Sequence, residues 1–218
     1  MTGGLDKVSH TTRARLPVAT FSVRELGSPT WSDFERIAKK HNGVWGGCWC
    51  MAFHLKPGGP NRTAKQNKND KKKLVLTNRA HAALVYDGPD VVGWCQFGSP
   101  AELPARMSAY SRLGVGLPDW RITCFFVDRD RRKEGIAKAA LAGALRMIAA
   151  RGGGMVDAYP SDLRGKSTSS SFLWSGTAPM FDDAGFRLVA HLGTTKVVMR
   201  KVVRPRRGGL PRARREVD

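Results

Sequence analysis

No apolar run in this 218-residue sequence approaches the roughly 20 residues that cross a bilayer, so a membrane-spanning helix is not expected. Residues 1–16 lack an apolar centre of the kind a secretory leader carries, so no such leader is expected. Cysteine is scarce, at four: Cys48, Cys50, Cys95 and Cys124. Cys95 and Cys124 fall inside apolar strand-like runs, where a buried, reduced thiol is the plain reading, and a cytoplasmic protein with free thiols fits best. Two phosphate-binding fingerprints are also missing. Neither G-x-G-x-x-G nor G-x-x-x-x-G-K-[ST] stands at the one strand-to-helix junction that has the right context for them, which removes the dinucleotide and P-loop readings.

What is present is enough for a packed core, since 41% of the residues are hydrophobic. The length suits one domain with extensions: a flexible N-terminal extension over 1–16, a domain over 17–203 and a basic tail over 204–218. The formal charge of +19 is concentrated. Residues 200–218 hold +6 of it and residues 62–73 hold +5. Two readings stay open: attraction to a polyanion such as nucleic acid, or a solubilising tail and a solvated helix face. Neither stretch interleaves aromatics for base stacking.

Along the chain, 18–23 reads as a first strand. Thr30-Trp31-Ser32-Asp33, followed by Phe34, Ile37 and Ala38, reads as a capped amphipathic helix over 31–41 that Asn42-Gly43 stops. A segment dense in glycine, sulfur and aromatics follows, then a loop over 56–61 and a basic helix over 67–77. The runs 82–86 and 91–97 around Asp87-Gly88-Pro89-Asp90 predict a hairpin. Residues 100–113 read as a short helix. Beyond the central junction come a strand over 155–159, a polar loop over 162–171, a short helix over 176–184 and two strands over 186–192 and 195–201. Strands and helices alternate without a strict βαβα rhythm, which predicts a mixed α/β sheet.

The junction itself spans 122–146. An apolar run, Ile122-Thr123-Cys124-Phe125-Phe126-Val127, gives way to a charged turn. The turn leads into a helix whose stripe is Ile136, Ala140, Leu141, Ala144, Leu145 and Ile148. A strand that feeds a helix N-terminus through a glycine presents unpaired N–H groups and the positive end of a helix dipole to one point, where a phosphate is the natural guest. Gly135 leaves no Cβ in the way, Ala137 keeps the surface low, and Arg132 and Lys133 add charge.

The pattern Val127-x-x-x-x-Arg132-x-x-Gly135-x-Ala137 resembles the acetyl-CoA signature of the GNAT N-acetyltransferase superfamily, V-x-P-x-x-[RQ]-x-x-G-x-[GA], with Arg129 at the proline position. The order of elements over about 18–203 resembles that family too. The segments 46–51 and 93–98 resemble those of a bacterial branch of it, which implies no substrate. The resemblance implies a mixed, mostly antiparallel central sheet splayed between the fourth and fifth strands and flanked by helices. It further implies acetyl-CoA as co-substrate and direct attack by an amine on the thioester. Phe126, Val127, Arg132, Lys133, Gly135, Ile136, Ala137 and Lys138 would hold the cofactor, with a bulge at the end of the 122–127 strand. A small-molecule or protein amine would be the acceptor, no membrane is involved, and the chain would be a monomer or homodimer. The alternative is a nucleic-acid-associated protein of this fold that uses its basic tail and has weak or no transferase activity.

The residues depart from the family at one chemical position. The tyrosine that many relatives use as an acid is Phe181 here, which cannot donate a proton. Tyr159 and Asp157 share a strand face near the expected splay and are the candidate catalytic substitutes, with Ser175 and Thr177 beside them; each also reads as an ordinary strand or cap residue. Cys48 and Trp49 are candidates for the acceptor wall, with a reactive thiol as a further reading. Cys48-x-Cys50 with His54 offers no fourth ligand, so no metal is expected.

Overall fold

The computed structural model describes residues 21–55, 61–105, 107–163 and 173–206. Seven strands form one sheet in the order β1-β2-β3-β4-β5-β7-β6. They are β1 (Ser22–Glu25), β2 (His81–Asp87), β3 (Asp90–Gly98), β4 (Trp120–Val127), β5 (Gly154–Ala158), β6 (Arg187–Leu192) and β7 (Lys196–Val203). Every pairing is antiparallel except β4 with β5. The helices are α1 (Trp31–Lys40), α2 (Ala64–Leu76), α3 (Met107–Ser111), α4 (Ile136–Ala150) and α5 (Ala178–Asp183). The mixed, mostly antiparallel sheet is the one expected.

The two faces of the sheet carry separate apolar layers. Trp31, Phe34, Ile37 and Ala38 of α1 pack with Trp94, Cys124 and Leu84 on one face. The α4 stripe packs with Phe97, Ile122 and Phe125 on the other. Each fully buried Leu, Ile or Phe contributes on the order of 1.5–3 kcal/mol, so these stripes dock the helices whatever their intrinsic propensity. Leu145, expected in the α4 stripe, is only partly buried at its margin.

The splay follows from how little of β4 pairs with β5. Pairing covers only Trp120, Ile122 and the residue between them, opposite Val156 to Ala158. From Thr123 to Val127, β4 has β3 on one side and no strand on the other among the described residues. In the gap the Phe125 N–H donates to the Trp174 carbonyl at 2.6 Å. A bulge is present, but not at the strand end. Gln96 faces Cys124 and Phe97 faces Ile122, which leaves Thr123 as the extra residue.

Several boundaries move. α2 begins at Ala64 rather than at 67, because Thr63 and Gln66 form a capping box: Gln66 N–H donates to Thr63 Oγ1 at 3.2 Å and Thr63 N–H to Gln66 Oε1 at 2.9 Å. The helix expected over 100–113 shrinks to α3, since Ser99 and Glu102 hold the preceding residues in a turn, with Ser99 N–H donating to Glu102 Oε2 at 2.8 Å. The first strand, expected over 18–23, is β1, which begins four residues later at Ser22. The expected extension over 1–16 and most of the loops over 56–61 and 162–171 and of the tail over 204–218 lie outside the described residues.

Candidate active site

β4 ends in a loop that is tied down at Asp128, Asp130, Arg131 and Glu134 but leaves one backbone surface bare. Asp128 accepts from Lys40 Nζ at 2.7 Å and from the Asp130 N–H at 3.2 Å. Burial works against its ionisation, but the Lys40 ammonium and the Asp130 N–H outweigh burial and hold its carboxyl below the usual range. Arg131 bonds Glu134 at 2.9 Å and Asp87 at 2.7 Å, pinning the turn to the β2–β3 hairpin. Lys133 and Gly135 then take left-handed backbone, φ +68° and +86°. Gly135 is the N-cap of α4, and no side chain caps that helix. A Cβ at Gly135 would meet nothing within 4 Å. The first N–H groups of α4 thus stand behind an open concave surface.

That surface is one wall of a cleft of about 1040 Å³. All eight residues expected to hold a cofactor, Phe126, Val127, Arg132, Lys133, Gly135, Ile136, Ala137 and Lys138, line this cleft. The cradle therefore continues directly into the unpaired edge of β4. Four cations line it, Arg129, Arg132, Lys133 and Lys138, with Lys138 also paired to Asp183 at 2.7 Å. The opposite wall comes from His41, Val44 and Trp45 and from Leu173, Trp174, Gly176, Thr177 and Met180.

The segment expected to form the acceptor wall reaches the cleft through Val44 and Trp45 rather than through Cys48 and Trp49. Cys48 and Trp49 do not line the cleft; Trp49 is buried with its ring 6.3 Å from Phe34, and Cys48 is half-buried. The reason is a run of positive φ from 42 to 47, with Val44 at +60° and Trp45 at +49°. This left-handed path turns Val44 and Trp45 to the cleft and returns Trp49 to the α1 layer. Four glycines at 43, 46, 47 and 135 signal left-handed backbone in the sequence, but nothing signals it at a valine and a tryptophan.

Tyr159 and Asp157, the candidate catalytic pair, lie away from the cleft. Asp157 is fully buried in an ion pair with Arg200, 2.7 Å from Nε, and accepts from the Tyr110 hydroxyl at 2.5 Å. The Tyr159 hydroxyl accepts from Arg121 Nε at 3.2 Å, and burial pushes its pKa up. Both carry polar contacts that hold β4, β5, β7 and α3 together. Of the flanking residues, Thr177 lines the cleft and Ser175 is buried outside it. Phe181 is also fully buried, packed edge-on against Phe125 and Phe186 at 5.9 and 5.0 Å.

The residue that sequence reasoning missed is His41. It follows α1, lines the cleft, and packs against Phe126 at 4.9 Å between ring centroids with the rings tilted by 60°. Its Nε2 turns inward to within 3.4 Å of Asp128 Oδ1 and, although buried, makes no hydrogen bond among the described residues. An imidazole held beside an ionised carboxylate at a cleft wall is the arrangement of an oriented base, and such contacts commonly tighten only when substrate is bound. A lone histidine after a helix carries no periodic signal, which is why the sequence did not single it out.

Beneath the cleft, outside its lining, runs a second polar cluster. Lys71 is fully buried and donates to Gln96 Oε1 at 2.6 Å and to His54 Nε2 at 3.1 Å; Gln96 Nε2 donates to Thr123 Oγ1 at 3.2 Å. Burial brings the Lys71 ammonium down to about 8, and burial together with Lys71's charge brings His54 down to about 3. Cys50 and Cys124 lie 3.8 Å apart, and all four cysteines are free. No group of three or more metal-ligating side chains occurs among the described residues, and no described helix is long and apolar enough to cross a membrane.

The chain has the fold of the GNAT acetyltransferases. A mosquito arylalkylamine N-acetyltransferase like 5b matches it with a TM-score of 0.52 at 9% identity, over 84% of this chain and 100% of that one. A protein from Desulfovibrio desulfuricans assigned to the GNAT family as an acetyltransferase matches with a TM-score of 0.50 at 14% identity, over 84% of this chain and 99% of that one. No family model matches the sequence, and no curated protein matches it.

Proposed function

We propose that this chain is an acetyl-CoA-dependent N-acyltransferase that moves an acetyl group to a primary amine by direct attack. One observation carries the reading: beyond Phe125, whose N–H is taken by Trp174, the edge of β4 has no neighbouring strand among the described residues and runs into a left-handed glycine and an uncapped helix N-terminus within one cleft lined by four cations. Coenzyme A suits these residues. Its pyrophosphate fits the N–H groups behind Gly135 and the Arg132 and Lys133 charges. Its amide-bearing arm fits an unpaired strand edge at Phe126 and Val127. Acetyl-CoA supplies the activated acetyl group and a thiol leaving group.

The chain's own residues supply orientation and proton transfer. His41, oriented by Asp128, takes the proton from the attacking nitrogen as the C–N bond forms and the C–S bond breaks. Backbone N–H groups on the open edge of β4 stabilise the developing oxyanion. Phe181 gives no proton, so the departing thiolate takes its own from solvent, which a thiol of ordinary acidity tolerates near neutral pH.

The test is release of free coenzyme A thiol from acetyl-CoA, read together with the mass of the acetylated amine, over a panel of arylalkylamines, polyamines, aminoglycosides and lysine-rich protein. Amine-dependent release with acetylation of the amine is the expected result. No release with any member of the panel would overturn the proposal.

A further inference from the structure

The charges around the cleft are of one sign. Among the described residues its charged side chains are Arg129, Arg132, Lys133 and Lys138, and no aspartate or glutamate lines it. The carboxylates flanking the turn in sequence are engaged elsewhere, Asp128 and Asp130 with Lys40 and Glu134 with Arg131, while Asp183 is paired with the cleft residue Lys138. The internal segments outside the described residues, 56–60, 106 and 164–172, contain no acidic residue either. Among the described residues, the lining of the cleft therefore offers no anionic group to receive a second positive charge on an acceptor. The phosphates of coenzyme A would neutralise the cations already present and leave no surplus negative charge from the protein.

The walls are aromatic instead. Trp45 is 48% exposed and stands at the cleft on a left-handed residue, a conformation that costs a non-glycine residue on the order of 1 kcal/mol or more. His41 lies on Phe126. Trp174 is braced from behind by Phe53 at 5.6 Å. Flat, weakly hydrated walls favour an apolar or aromatic body.

We infer that the acceptor is a monoamine on an aromatic or apolar frame, and that polycationic amines such as polyamines, aminoglycosides and lysine-rich tails are excluded, with Trp45 a residue that sets this preference. The inference rests on the acyltransferase reading above. A dication in this cleft would desolvate its second charge without a partner, and burial of an unpaired charge is strongly unfavourable.

The experiment compares kcat/KM for tryptamine and phenethylamine with that for spermidine and tobramycin, alongside calorimetric titration of the protein with acetyl-CoA. The aromatic amines are expected to exceed the polycations by at least tenfold. Trp45→Asn, which keeps a residue tolerant of left-handed backbone, is expected to raise KM for tryptamine at least tenfold and to leave the acetyl-CoA Kd within twofold. Turnover of spermidine or tobramycin at a rate equal to or above the aromatic amines overturns the inference. So does acetyl-CoA binding without turnover of either aromatic amine, or an unchanged tryptamine KM in Trp45→Asn. Failure to bind acetyl-CoA at all instead overturns the acyltransferase reading.

Discussion

Gly135 and His41 do different work at the cleft, and substitutions separate them. Gly135 holds φ +86° with open space where a Cβ would stand, so it governs how closely an anion approaches the N–H groups of α4. His41 touches the cleft through its ring and Asp128 through Nε2, which is why the proposed mechanism gives it the proton transfer. His41→Gln is expected to lower kcat by about 10²–10⁴-fold while leaving the acetyl-CoA Kd within twofold, as read by steady-state kinetics and calorimetry. A fall in acetyl-CoA affinity without a fall in kcat would place His41 in donor binding rather than in proton transfer. At this scale the sequence was legible where residue type and spacing both constrain chemistry, as from Val127 to Ala137. It was not legible at Val44, Trp45 and His41, whose roles come from a backbone path that leaves no periodic trace. Asp157 and Tyr159 share a strand face as alternation demands, but the partner on that face, Arg200, comes from β7, and single-strand spacing cannot reveal it.

Between elements, the position of the cradle depends on how closely α4 approaches the sheet. A Cβ on Gly93 of β3 would come within 2.6 Å of the Phe126 carbonyl and 2.7 Å of Ile136 Cγ2. Gly93→Ala is therefore expected to destabilise the fold by about 1–3 kcal/mol in urea unfolding and to weaken acetyl-CoA binding, because Ile136 opens α4 beside the cradle. A second inter-element tie is sensitive to pH. Buried His81 on β2 lies 3.3 Å from both Glu25 and Glu102, and Glu25 also pairs with Arg151 at the end of α4. Burial lowers the His81 pKa, but its two carboxylate partners outweigh burial and raise it above 6.5. Glu102 is brought down to about 2, against burial, by His81 and Ser99. The raised histidine contributes stability that is full below its unfolded pKa and is lost as pH rises through the folded one. The lowered carboxylates contribute stability that is full above roughly pH 4.5 and is lost as pH falls towards 2. The unfolding midpoint of the native chain is expected to exceed that of His81→Gln most between about pH 5 and 6.5, and the gap should narrow by pH 9. A gap constant over that range would remove the tie. The helices and strands were legible from their apolar stripes. The early start of α2 was written in Thr63 and Gln66 and passed over, because its low apolar content drew attention to its lysines instead.

Across the whole molecule, the sheet order and the short β4–β5 pairing create a cleft that no single element contains. The element order made the fold legible in the sequence, while the cleft wall facing the cradle was not, because it is assembled from chain segments more than a hundred residues apart, His41 to Trp45 and Leu173 to Met180. The charge of the chain is a separate layer. The basic residues of α2, and Arg204 and Arg206 after Val203, do not line the cleft, so a chain ending at Val203 is expected to keep its acetyl-CoA-induced rise in unfolding temperature within about 1 °C of the native value. Loss of the rise on truncation would make the tail part of the donor site. The central claim is that the cradle at the start of α4 binds coenzyme A. Its most direct measurement is calorimetric titration of acetyl-CoA into the native protein and into Gly135→Asp, with the unfolding midpoint of each recorded. The account predicts saturable one-to-one binding by the native protein, in roughly the 1 μM–1 mM range of enzyme substrates, and at least tenfold weaker binding by the folded variant, whose carboxylate would face the pyrophosphate. Equal affinity in the two proteins, or no binding by the native one, would contradict it.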